Sequence, residues 1–186
     1  MAFHRVETGI EGLFIVKPDV FGDHRGYFKE TYNAEAFAAI GLDTAFAQDN
    51  LSYSGKGILR GLHFQAPPHA QGKLVSVLAG EVLDVAVDIR RGSPTYGQHY
   101  AIRLSGDNHL MFYVPPGFAH GFQVLSETCY FAYKCTQGYN KAAEGGLMWN
   151  DPDLGIDWPL ADPVISDKDR DYVPFAQFES PFTYDL

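Results

Sequence analysis

The sequence predicts a mainly β protein, an antiparallel barrel or jelly roll with a few short helices. Three observations predict it. Short runs of β-branched and aromatic residues recur at even spacing, turn signals of Gly, Pro, Asn or Ser separate them, and little of the chain has a helical period. The 186 residues suffice for one ordinary domain with a sizeable core, and no internal boundary or repeat divides them.

Taken in order, residues 13–17 form an apolar run ended by Pro18, which reads as an edge or terminal strand. The turn-rich stretch 21–26 places Arg25 on or beside a loop, and the aromatic run 27–32 is expected to be a strand. Asn33 can cap a helix over 34–40 that Gly41 closes. Strands are expected at 44–53, 58–65, 73–78, 81–89, 96–104, 109–114, 121–125 and 128–136. In 81–89 the alternation puts Leu83, Val85, Val87 and Ile89 on one face and Asp84 and Asp88 on the other. Beyond Gly138 the period fades; residues 139–186 are expected to pack as a tail on the β-core, with Ser166 capping a short helix through Tyr172.

Composition narrows the function. Fourteen Lys and Arg face 23 Asp and Glu, a net charge of -9, and no basic run is available to displace counterions from a nucleic acid. No apolar run approaches the ~20 residues of a membrane span. Cys129 and Cys135, six residues apart on one strand, stand roughly 20 Å from each other and cannot bridge. Free thiols and the lack of an N-terminal apolar signal lead us to expect a cytoplasmic protein.

The most informative stretch is Arg60-Gly-Leu-His-Phe-Gln65 with Lys73 shortly after it. A guanidinium can grip a phosphate or carboxylate, an imidazole can take a proton near neutral pH, and an ammonium can stabilise an oxyanion. Strict alternation sends Arg60 and His63 to opposite faces. A bulge at Gly61 would reset the phase; otherwise Arg60 serves the rim or a partner subunit.

Pro115-Pro-Gly-Phe-Ala-His120 resembles the second motif of the cupins, in which a turn delivers a histidine to the mouth of a small β-barrel, and this makes a cupin-type jelly roll the expected fold. A metal-binding cupin also needs a His-x-His pair, whereas Phe64 and Gln65 follow His63, so proton transfer is favoured over a metal site built from His63, His69 and His120. The likeness then becomes specific. Phe21-Gly-Asp-His-Arg-Gly26, Gln48-Asp-Asn50, Leu59-Arg-Gly-Leu-His-Phe-Gln65, Gln71-Gly-Lys-Leu74, the run 80–90, Pro116-Gly-Phe-Ala-His-Gly-Phe122, Tyr133-Lys134 and Trp149-Asn-Asp151 together resemble the dTDP-4-dehydrorhamnose 3,5-epimerase family, in order and with similar spacing.

That resemblance implies a cofactor-independent, cupin-fold homodimer of dTDP-L-rhamnose biosynthesis, inverting the two carbons that flank a 4-keto group. It implies His63 as base, Tyr133 as acid, Lys73 as stabiliser of the enolate and Asp169 as the partner of His63, with Asp167, Asp171 and Asp84 as alternatives for that partner. It assigns Arg25, Glu30, Gln48, Asp49, Asn50, Arg60, Lys73, His120, Glu144 and Lys168 to substrate contacts, the arginines and Lys168 to phosphates, and Tyr139 to stacking on thymine. Two other readings remain: a 3- or 5-epimerase of a related dTDP-4-keto-deoxysugar, and a noncatalytic sugar-nucleotide-binding cupin.

Overall fold

The computed structural model describes residues 1–42 and 45–184. Thirteen strands, all paired antiparallel, build two facing sheets and a hairpin among the described residues. The larger sheet has the order β1-β2-β10-β7-β12-β5, from strands β1 (Phe3–Glu7), β2 (Phe14–Pro18), β5 (Gln48–Gly55), β7 (Lys73–Ala79), β10 (Met111–Val114) and β12 (Thr128–Cys135). The smaller has the order β13-β6-β11-β8-β9, from β6 (Leu59–Gln65), β8 (Glu81–Asp88), β9 (His99–Ser105), β11 (Phe118–Val124) and β13 (Glu144–Gly146). Strands β3 (Phe21–Asp23) and β4 (Gly26–Phe28) form the separate hairpin. The expected antiparallel barrel is present.

Inward side chains of both sheets, among them Val75, Phe112 and Phe131 from one and Val82, Ala86 and Phe122 from the other, form the central core. The outer face of the smaller sheet is also dry. Leu62, Val85, Val87 and Ile89 pack there against Leu154 and Phe182 of the C-terminal segment. Burial on both faces makes the alternation in β8 misleading, because Asp84 and Asp88 lie on no solvated face and are fully buried. Arg90 grips Asp88 through two hydrogen bonds, and the hydroxyls of Ser93 and Thr95 bond it too. Those hydroxyl contacts tie down the turn and delay the next strand to His99, where the sequence suggested residue 96.

Helix α1 (Ala34–Ala39) covers part of the larger sheet's outer face with buried Phe37. Asn33 caps it by accepting from the Ala36 amide. The expected strand 27–32 is shorter: pairing stops at Phe28, because the chain turns so that Tyr32 packs on Phe37 and Phe46. The expected strand 44–53 begins at Gln48, and Thr44 lies outside the described residues. Strand β11 starts three residues before the expected Gly121, since Phe118 already pairs with Asp88. Helix α2 (Asp167–Arg170) is capped by Ser166 and ends before Tyr172.

One irregularity sets the geometry of the site. Between β6 and β11, His63 pairs with His120 but Arg60 pairs with Phe122, so three residues on β6 oppose two on β11. The bulge contains Gly61, at φ 147°, whose Cβ position would lie 2.6 Å from the Gly121 Cα. Two glycines facing each other permit that approach. The phase is reset across Gly61, and Arg60 and His63 line one cavity.

Candidate active site

His63 is supplied by β6 and Asp169 by α2. Their Nε2 and Oδ1 atoms are 2.6 Å apart, and the second carboxylate oxygen accepts from the Gly61 amide at 3.4 Å. Asp169 is 3% exposed. Burial alone would push its pKa up; the hydrogen bond and charge of His63, with help from Gly61 and Lys168, outweigh that and hold it below the usual carboxylate value. With Nε2 engaged, Nδ1 is the open nitrogen of the ring. Of the four aspartates considered for this pairing, Asp84 instead bonds His120, whose Nε2 lies 2.8 and 3.0 Å from its two oxygens. Asp167 opens α2 and Asp171 closes it, leaving Asp169 as the one turned onto His63.

His63 and His120 belong to the smaller sheet. Across the cavity, the larger sheet presents Tyr133 from β12 and Lys73 from β7. Alternation along β12 sends Phe131, Tyr133 and Cys135 inward and Lys134 outward. Lys73 makes no hydrogen bond or ion pair among the described residues, and burial pushes its pKa down against the opposing pull of Cys135, Asp84 and Glu144. Burial likewise holds the Tyr133 phenol above its ordinary value.

His63, Lys73 and Tyr133 stand where two cavities meet. The larger, about 610 Å³, carries Arg60, Lys168 and an apolar wall of Phe122, Phe131 and Ile165. The smaller, about 320 Å³, is rich in amides and is bordered by Gln48, Asn50, Tyr139 and Glu144. Gln48 accepts from the Tyr139 amide and donates to Asn50. Glu144 takes bonds from Tyr139 at 3.1 Å and Lys168 at 2.5 Å. Burial raises the Glu144 pKa less than Lys168 and Tyr139 lower it, so the net direction is down. A base on one wall, an acid on the other and an unpaired cation beside the acid can move a proton from one face of a flat intermediate to the other.

The model of the dTDP-4-dehydrorhamnose 3,5-epimerase family matches residues 7–177. The chain belongs to that family. A dTDP-4-dehydrorhamnose 3,5-epimerase of Pseudomonas aeruginosa is 53% identical over 169 residues, 90% of this chain and 93% of the relative. That of Methanothermobacter thermautotrophicus is 49% identical over 178 residues, 94% of this chain and 96% of the relative. The crystal structure of a dTDP-6-deoxy-D-glucose-3,5-epimerase from Legionella pneumophila, in complex with dTDP-4-keto-L-rhamnose, is 47% identical; it matches 99% of this chain and 100% of its own with a TM-score of 0.94.

Three residues expected among the epimerase's substrate contacts stand apart from both cavities in this chain. Arg25 sits in the exposed β3–β4 turn, ion-paired with Asp23. Asp49 lies between inward Gln48 and Asn50, so alternation turns it outward to Lys134 at 2.9 Å. Glu30 has its nearest cation at the N-terminal amine, 4.0 Å away. The sequence reading also missed participants. Ser52 lines the larger cavity, and Ser54 accepts from Arg60 at 3.3 Å. Gln65 fixes the loop before β13 by donating to the His69 and Gly138 carbonyls and accepting from the Asn140 amide. The signal for all three was the two-residue period that links them to Gln48, Asn50 and His63. Among the described residues, no three His, Cys, Asp or Glu side chains converge as metal ligands.

Proposed function

We propose that this isomerase inverts C3 and C5 of dTDP-4-dehydro-6-deoxy-D-glucose, giving dTDP-4-dehydro-L-rhamnose through enolate intermediates. One observation carries the reading: His63 and Tyr133 face each other across a single cavity from opposite sheets. In the chair of a gluco-configured 4-ketone, H3 and H5 are both axial on the same face, so one base can reach both. His63 takes the proton through its open Nδ1, and Asp169 stabilises the resulting imidazolium while fixing the ring. The electron pair moves to the C4 oxygen. Lys73, lacking a protein partner, meets a charge that grows only as the reaction proceeds.

Tyr133 then delivers its proton to the opposite face of the carbon. Burial favours the neutral phenol, so the residue enters the cycle as an acid. Transfer of the proton from imidazolium to phenolate through solvent resets both groups. Each inversion therefore leaves the enzyme's proton count unchanged.

Arg60 and Lys168 are the cations placed to neutralise a diphosphate. Tyr139, 59% exposed beside the amides of the smaller cavity, offers a planar face to the thymine. The enzyme acts as a homodimer. Leu51, Tyr53, Leu78 and Tyr130 leave an uncovered apolar area on the larger sheet, and Phe21, Tyr27 and Phe28 of the hairpin are exposed too. Arg25 lies in that hairpin, so pairing of two chains is also the route by which it reaches a site. No helix among the described residues is long and apolar enough to cross a membrane.

Incubation with dTDP-4-dehydro-6-deoxy-D-glucose in deuterated water tests the activity. Label at both C3 and C5 of the product is the expected result. Label at one carbon would make the protein a single-position epimerase, and label at neither would leave a binding protein.

A further inference from the structure

The proposed reaction uses one His–Asp pair, yet the cavity holds two. His120 and Asp84 repeat the arrangement of His63 and Asp169: in each, Nε2 meets the carboxylate. Asp84 is fully buried, whereas His120 lines the cavity. The two histidines are direct partners across β6 and β11. His120 Nδ1 makes no hydrogen bond among the described residues and is not sealed from the cavity.

We propose that the Asp84–His120 pair is the second half of the oxyanion site. Asp84 is a positioning residue: it holds His120 by Nε2, and Nδ1 presents an N–H to the C4 oxygen from the wall opposite Lys73. The argument is one of charge. An enolate beside Lys73 balances one cation with one anion, which leaves the Asp84 carboxylate uncompensated a few ångströms behind the reacting ring. A buried unpaired charge is costly. A proton on both nitrogens of His120 restores neutrality and points a donor at the place where charge develops. The other ionisable groups facing His120 are Lys73 from β7, Tyr133 and Cys135 from β12 and His63 from β6. None of them bonds Asp84. Burial pushes the Asp84 pKa up while His120 and Lys73 pull it down, and the net direction is up, as befits a carboxylate that needs a compensating proton nearby.

This assignment rests on the epimerase reading, and Asp84→Asn separates the two. The amide can still accept from Nε2–H, so the ring stays placed while the charge is removed. Loss of one oxyanion donor predicts a fall in kcat of about 10²–10³-fold, with KM within about threefold, and equal slowing of deuterium uptake at C3 and C5. Unchanged thermal unfolding and dTDP binding would establish that the variant is folded. Nitrogen-15 NMR of histidine-labelled enzyme saturated with dTDP gives a readout independent of turnover: both His120 nitrogens protonated in the parent, one in Asp84→Asn. If Asp84→Asn did not fold, His120→Gln would supply the kinetic arm and the parent spectrum the other. An Asp84→Asn enzyme with kcat within threefold of the parent, one that changes KM alone, or a bare Nδ1 in the parent spectrum overturns the proposal. A parent enzyme that exchanged no proton at all would instead overturn the epimerase reading, and the spectrum would still decide the state of the pair.

Discussion

His63 and Asp169 are 106 positions apart in the chain and 2.6 Å apart in the fold. A four-residue helix makes the contact. Ser166 caps α2 by accepting from the Asp169 amide, which fixes the carboxylate's own backbone against β6. The pairing is thus a property of the cap as well as of the two side chains.

Asp169→Asn tests what the charge contributes. The amide can keep the ring in place but cannot stabilise imidazolium, so kcat should fall by about 10²–10⁴-fold with a small change in KM. Steady-state turnover of the 4-keto sugar measures both constants. A variant retaining more than a tenth of parental kcat would remove Asp169 from the mechanism. His63→Ala should abolish deuterium uptake at C3 and C5 alike, and retained exchange at either carbon would require another base.

Tyr133→Phe separates proton loss from proton return. The variant keeps His63, Asp169 and Lys73, so the enolate still forms and can be reprotonated by His63 on its original face. Washing deuterium into unreacted substrate should therefore survive better than net inversion. Equal loss of the two, followed by NMR of recovered substrate and product, would exclude Tyr133 as the late-acting acid.

The same Asp169 links stability to acid. Its folded-state pKa is depressed, so the unfolded chain binds the proton more readily than the native one. The stabilisation is present above the ordinary carboxylate value of ~3.9 and is lost as pH falls through the lower folded value. Urea unfolding of the parent and Asp169→Asn should show a constant stability gap from about pH 7 to 5 that narrows below about pH 4. A gap independent of pH would mean that the carboxylate's charge adds nothing to the fold.

Leu51 on β5, 62% exposed, tests the dimer. Its strand is the last of the larger sheet, and the rings of neighbouring Tyr53 and Tyr130 stack 5.0 Å apart on the same uncovered face. Leu51→Glu should shift the mass measured by light scattering from two chains to one at micromolar concentration. A parent protein that is already a single chain at that concentration would refute the assembly.

Much of the barrel was legible because each strand carries its own period and its own turn residues. Asn33 and Ser166 announced two helix caps for the same local reason. What failed was any inference that needed a neighbour. Asp84 reads as a charged-face residue until the C-terminal segment is placed over the other side of its strand, and then it is a buried partner of His120. Residues 144–146 carry too little pattern to read as a strand, and pair with β6 only because Gln65 holds the preceding loop. Arg25, Glu30 and Asp49 matched the family's motif in sequence, yet this chain's own fold does not carry them to the cavity.

Gly61 is the position where a local signal decided a distant result. Only a bulge lets Arg60 and His63 share a cavity, and the bulge brings Gly61 against Gly121 so closely that a methyl group at 61 would lie 2.6 Å from backbone carbon and 3.2 Å from the His120 carbonyl oxygen. Its φ of 147° is also one that side-chain-bearing residues rarely adopt. Gly61→Ala should cost roughly 2–4 kcal/mol, or on the order of 5–15 °C in Tm. Its kinetic effect should exceed its effect on folding: any shift that relieves the clash moves β6 relative to β11, and with it the relation of His63 to His120. A misplacement of about 1 Å is enough to cost roughly a hundredfold in turnover. Thermal unfolding and kcat measured well below the variant's Tm make the comparison. A stable, fully active Gly61→Ala enzyme would show that the strands can part without disturbing the base, and that the bulge does not set its position.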